Sequence, residues 1–184
     1  RGQGRRPEAG APAGTPLEGE FNGGVNVETN RDGDTLAAGL TVPMDFGPFS
    51  WPGEGTLDWN LRLTPDIPLS LDLETGAGES RLDLTNLRVG ELRLRSGASA
   101  TEIELPARAG FTRLDISTGA ASVRLQVPQG VAARIHARGG LASIQVDTHR
   151  FPQMGDVYQS PDYAIADNRV EIEAETGVGS IDVR

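Results

Sequence analysis

Six glycines set a period along this chain. Gly55, Gly76, Gly97, Gly119, Gly140 and Gly177 align, with successive spacings of 21, 21, 22, 21 and 37 residues. The sixth residue after each is aliphatic: Leu61, Leu82, Ile103, Leu125, Val146 and Val183. Before the last five, the fifth and third residues are apolar too, as in Leu71 and Leu73, Leu92 and Leu94, or Ile172 and Ala174. Each unit therefore reads as strand, glycine corner, strand and connection, with the glycine allowing a sharp turn. A unit this short buries its apolar side only by stacking on its neighbours. The period predicts an all-β chain: a right-handed, parallel β-helix-like solenoid of about six coils of about 21 residues, behind an N-terminal β-hairpin and cap.

The outward positions test the stacking independently. Four residues before the last five glycines stand Asp72, Arg93, Asp115, His136 and Glu173. Five residues after the glycines stand Asn60, Arg81, Glu102, Arg124, Gln145 and Asp182. Signs alternate through the early units in both series. Stacked strands lie about 4.8 Å apart, so opposite charges in such a ladder attract. Arg93 is expected between Asp72 and Asp115.

The repeat divides the chain. Residues 1–20, rich in Gly, Pro and Ala, read as a flexible tail or linker. Residues 21–54 read as a hairpin around "NRDGD" and an aromatic cap with Phe46, Phe49 and Trp51. Residues 55–184 form the solenoid, in which Gly55 opens an incomplete first unit. The 37-residue interval holds an insertion at about 148–168, and insertions in repeat arrays map to loops that often carry function. His149, Arg150, Tyr158 and Tyr163 on it are candidate partner-binding residues. Glu171 and Glu173 are candidates as well, because the last coil is expected to end the stack with an open, acidic strand edge. That edge serves either as a gatekeeper against aggregation or as a docking edge for a basic partner.

Composition removes several chemistries. The chain has no cysteine and no lysine, which excludes thiolate metal sites, thiol nucleophiles, Schiff bases and a Walker-type phosphate lysine. The formal net charge is −9, with Arg1, Arg5 and Arg6 clustered at the start, so the body repels nucleic acid and anionic lipid. No run of apolar residues approaches membrane-spanning length. "ETGAGESRLDL" lacks nucleotide-loop spacing, and no G-x-S-x-G is present. Glu28, Asn30, Asp32 and Asp34 alternate around Gly33 as in a calcium loop, but Gly39 stands where the bidentate glutamate belongs. Asp83, Glu104 and Asp147 make a partial acidic column that Gln126 interrupts. Polysaccharide lyases and hydrolases of the β-helix class need clustered acids in a cleft, for which the short corners leave little loop length. These observations point to a non-enzyme without a cofactor.

The stretch "WNLRLTPDIPLSLDLETGAGESRLDLTNLRVGELRLRSGASATEIELP" and the closing "VEIEAETGVGSIDV" resemble the toastrack family, which includes LiaF-like C-terminal domains and adhesin-like envelope proteins. The resemblance covers about Trp59 to Arg184 and rests on the recurring Φ-x-Φ-x-[ST]-G-[AG]-x corner and on Asp162-Tyr163. The corners at Gly119 and Gly140 depart from it, reading "TGAAS" and "RGGLAS". It implies a stacked β fold tethered to a bacterial membrane by an upstream segment, acting without catalysis in envelope-stress sensing or signalling through protein partners. An adhesin-like or structural envelope role is the alternative. The opening "RGQGRR" fits the basic end of a membrane hairpin, which favours the cytoplasmic face, whereas adhesin-like relatives lie outside.

Overall fold

A computed structural model describes residues 17–21, 26–32, 35–41 and 59–184. Residues 1–16 of the expected tail, Gly33 and Asp34, the aromatic segment with Phe46, Phe49 and Trp51, and the corner Gly55 lie outside the described residues. The chain forms two compact units, Arg1–Thr64 and Pro65–Arg184.

In the first unit, β1 (Leu17–Phe21) pairs antiparallel with β4 (Trp59–Leu63). Residues 17–20, expected in the tail, thus lie in a strand, and the register partner of Leu61 is Gly19. A hairpin joins β2 (Asn26–Asp32) and β3 (Thr35–Thr41), whose register runs from Asn26↔Thr41 to Asp32↔Thr35.

The second unit is built on five long strands: β5 (Pro68–Asp83), β6 (Arg88–Glu104), β7 (Phe111–Gln126), β8 (Ala132–Val146) and β11 (Arg169–Val183). Two short ones, β9 (Gln153–Met154) and β10 (Val157–Gln159), complete the sheet. Each long strand runs through its glycine corner, and there the inward alternation skips a step. In β7 the buried positions are Thr112, Leu114, Ile116 and Thr118, then Ala121, Val123 and Leu125. That skip lets both halves of the strand present side chains to one core. The hydroxyls it draws inside are satisfied: Thr118 Oγ1 donates to the Glu175 carbonyl at 3.3 Å, and Thr176 Oγ1 to that of Val178 at 3.1 Å.

The long strands are parallel, but they do not stack in chain order. The sheet reads β5-β6-β7-β11-β8-β10-β9. The last long strand, β11, is therefore internal, paired along its whole length with β7 on one side and β8 on the other. This corrects the expectation that Glu171, Glu173, Glu175 and Asp182 crowd an open edge. Inward columns follow the spatial order, as in Leu71–Leu92–Leu114–Ile172–Ile135 and Leu82–Ile103–Leu125–Val183–Val146. Central members are fully buried and members of β5 only partly. Each fully buried aliphatic side chain contributes roughly 1.5–3 kcal/mol.

The corner glycines are needed for a reason other than turning. None of Gly76, Gly97, Gly119, Gly140 and Gly177 has a positive φ. Instead, a Cβ on Gly97 would lie 2.6 Å from the Gly76 carbonyl oxygen, and one on Gly119 would lie 2.8 Å from that of Gly97. One on Gly177 would lie 2.7 Å from the Gly119 oxygen, and one on Gly140 would lie 2.9 Å from the Gly177 oxygen. Each of these four corners rests on the backbone of the one before it in the spatial order, leaving no room for a side chain. Gly76 begins the series, and a Cβ there meets nothing within 4 Å. Gly119→Ala is accordingly expected to destabilise by about 1–3 kcal/mol through overpacking. Gly76→Ala is expected to be neutral or stabilising by at most about 1 kcal/mol. Urea unfolding of the two variants checks both, and equal losses would show that the corner glycines serve as turn formers.

Candidate binding surface

The outward side chains form columns set by the parallel register. Arg93 does lie between Asp72 and Asp115, and the column continues to Glu173 and His136. Its neighbours read Ser70–Glu91–Arg113–Glu171–Arg134 and Glu74–Arg95–Ser117–Glu175–Arg138. Beyond the corner stands Arg81–Glu102–Arg124–Asp182–Gln145. With β11 internal, its acids fall beside arginines: Glu171 between Arg113 and Arg134, Glu175 beside Arg138, and Asp182 beside Arg124.

The ion pairs run along and across these columns. Arg81 meets Glu102 at 3.2 Å, Arg95 meets Asp72 at 3.0 Å and Arg93 meets Glu91 at 2.6 Å. Arg113 bridges the like-charged neighbours Asp115 and Glu173, at 3.5 and 3.4 Å. Partly exposed pairs of this kind are worth less than about 1 kcal/mol each. Their effect is to favour one register and one strand order.

Before the corner, the outward face of β6, β7, β11 and β8 is hollowed into an open groove of about 590 Å³. Arg93, Arg95 and Arg138 line it against Asp115, Glu173 and Glu175. His136 and Ser117 also reach it. Ser117, His136 and Asp115 could suggest a nucleophile, base and orienting acid, but the register separates Asp115 from His136 by the whole of β11. No hydrogen bond joins any two of the three, so this is not the geometry of an activated serine. Among the described residues no three acidic or histidine side chains gather closely enough to hold a metal ion. Of the partial acidic column, Asp83 accepts from the Thr85 backbone N–H at 3.0 Å and Asp147 from that of His149 at 3.1 Å. Both carboxylates cap turns.

The residues singled out on the 148–168 segment are not brought together as one surface. Arg150 donates to the carbonyls of Val127 and Pro128 at 2.7 and 3.0 Å and stacks on the buried Phe151, 4.8 Å from its centroid. Tyr158 packs against the core from β10, where its register partner is Ile135. Tyr163 is buried beneath the Arg134 guanidinium, 4.4 Å from the ring centroid. His149 alone of the four is exposed. Glu171 lies near Tyr163, and Glu173 lines the groove. Of the groove arginines the sequence pattern singles out Arg93 alone, as a ladder member; Arg95 and Arg138 join it only through the register of neighbouring strands.

A model of the family described as the N-terminal domain of toast_rack, DUF2154, matches residues 19–147. The chain belongs to this toast-rack family. Among solved structures it is similar to the crystal structure of a "putative cell adhesion protein" from Clostridium sporogenes ATCC 15579, with a TM-score of 0.85 and 19% identity. That match covers 95% of this chain and 84% of the other. No curated protein matches the chain.

Burial, and secondarily the Glu171 carboxylate, raise the Tyr163 phenol above its ordinary pKa of 10.0, with Arg134 and Arg169 pulling the other way. A raised folded pKa means the contribution is fully present below the unfolded value and is lost as pH rises through the folded one. The wild-type chain should therefore lose stability above pH 10.0, where the unfolded tyrosine ionises first. Tyr163→Phe should flatten that decline. Unfolding midpoints on both sides of this pH check it, and parallel curves for the two chains would refute it.

Proposed function

We propose that this chain is a non-enzymatic binding module of the bacterial cell envelope. In this reading it acts as a membrane-tethered scaffold or sensor in envelope-stress signalling, with its long strands continuing as a right-handed solenoid. The observation that carries the proposal is the open groove across four parallel strands. Three arginines and three carboxylates line it, and its neighbouring acids Asp115 and Glu173 are bridged by Arg113. A wide, shallow surface with alternating charges suits recognition of another protein, since charge patterns set orientation and exclude wrong partners. Family membership and the fold shared with the Clostridium sporogenes protein support an envelope setting. That protein's description favours the second reading, an adhesin-like role, in which the same face meets surface components outside the cell. His149 would extend the partner contact beyond the groove in either case. No helix among the described residues is long and apolar enough to cross a membrane.

The test reverses charge in the groove with Arg93→Glu and Arg95→Glu together. Immobilised wild-type chain is expected to retain a defined set of envelope proteins from solubilised membranes, in a salt-sensitive manner. The double variant is expected to lose them while unfolding at a similar denaturant concentration. Retention of the same set by the folded variant would overturn the groove as the binding surface.

A further inference from the structure

The seven-stranded sheet leaves part of one long strand without a neighbour. β10 covers the outer edge of β8 only at its start: Gln159 and Tyr158 are in register with Arg134 and Ile135, and the Ser160 N–H donates to the Ala133 carbonyl at 2.8 Å. From Ala137 to Val146, no strand lies beside that edge among the described residues. The core is thin there as well. Ala142, Ile144 and Val146 are half-buried, whereas their counterparts in β7 — Ala121, Val123 and Leu125 — are 5%, 1% and 0% exposed. Leu141, on the outer face, is 81% exposed.

An edge strand is normally protected by charge or proline. β5, at the opposite end of the sheet, carries Pro68, Asp72, Glu74, Glu79, Arg81 and Asp83. Within the free part of β8, the run "GGLASIQV" (139–146) carries neither a charge nor a proline. At its head stands Arg138, which makes no ion pair among the described residues. On its paired side, β8 already shows what it accepts. β11 sets Glu175 beside Arg138, and it sets Gly179, Ile181 and Val183 beside Ala142, Ile144 and Val146.

We propose that the outer edge of β8 from Ala137 to Val146 is a strand-addition site. It takes an extended segment of a partner protein, parallel to β8, with a carboxylate opposite Arg138 and small or aliphatic residues opposite Ala142, Ile144 and Val146. Main-chain hydrogen bonds supply the affinity of such a complex, and the alternate side chains supply its specificity. Within residues 137–147 a second copy offers one carboxylate, Asp147, which already accepts from the His149 backbone N–H at 3.1 Å. The acidic and aliphatic requirement therefore points to a different segment. This inference rests on the reading of the chain as a binding module and adds to the groove a second surface that shares Arg138 with it.

The probe is a labelled synthetic peptide with the sequence of residues 173–183, EAETGVGSIDV, titrated with the whole chain by fluorescence anisotropy. Saturable binding is expected. Arg138→Glu should weaken it about tenfold by replacing attraction with repulsion. A peptide carrying arginine in place of Glu175 should restore binding to that variant. Leu141→Asp, at an exposed position, should also weaken the wild-type peptide. Absence of saturable binding, or equal binding by wild type and both variants, overturns the proposal. So does a concentration-dependent dimer that Leu141→Asp dissolves, since the edge would then belong to a second copy. The groove variant Arg93→Glu/Arg95→Glu should bind the peptide as wild type does. Failure of envelope capture with the peptide still bound supports the edge alone, and intact capture without peptide binding overturns the edge alone.

Discussion

Backbone contact at the glycine corners is the constraint on which the parallel sheet depends. A strand that bends while staying in register with its neighbours brings main chains close together at the bend. Carbonyl oxygens 2.6–2.9 Å from each would-be Cβ leave hydrogen as the only substituent that fits at Gly97, Gly119, Gly177 and Gly140. The same contact fixes where the inward alternation skips, and hence which residues face the core. Gly179 adds a second requirement of the same kind, since its φ of +127° disfavours a side chain and a Cβ would run into the Ala121 carbonyl. The period was legible in the sequence because sterics of this severity permit one residue type only. Its cause was not: φ at these corners is unremarkable, and the requirement arises between neighbouring strands.

The order of the long strands is written in the charges of the sequence, though not in its period. Stacking in chain order would set Arg113 of the third long strand directly against Arg134 of the fourth, a like-charge contact that costs stability. Placing the last strand between them puts Glu171 in that gap and Asp182 beside Arg124. The alternation Arg81–Glu102–Arg124 continues to Asp182 once the strands are ordered as they lie, whereas Asp115 and Glu173 become like-charged neighbours that Arg113 bridges. Charges too exposed to stabilise much still bear on the choice, because chain order would replace the Arg113–Glu171 attraction with a contact between Arg113 and Arg134.

The segment from Asp147 to Asn168 follows from this order. β7 and β8 are separated by a strand-width that β11 must fill, so the chain has to return from the end of β8 to the start of β11. On the way it contributes Phe151 and Tyr163 to the buried set and ties Arg150 to the carbonyls of the β7–β8 connection. An interval of 37 residues looked like a loop inserted into a finished coil. It is instead the crossover that makes the order possible. Aromatic and basic residues on it resemble a binding loop in composition, while in space most of them are spent on packing and clamping. His149, exposed, and Glu173, in the groove, keep the positions a partner could reach.

An internal β11 also changes the sign of the sheet's far end. Had the last coil been outermost, Glu171, Glu173 and Glu175 would face any newcomer and select a basic one. With those acids enclosed between β7 and β8, the outermost long strand presents His136 and Arg138 before the corner and no charge after it. The opposite end, β5, presents Asp72 and Glu74 in the same columns. The stack is thus polar along its length, with acid at one end and base at the other, although the chain as a whole carries −9. Net charge describes long-range steering of a partner, but the columns decide which side chains it meets on contact. For this chain the two have opposite signs at β8. A segment that fits there must overcome the repulsion of an acidic body to reach a basic strand, a combination that favours carboxylates placed singly and in register over a run of negative charge.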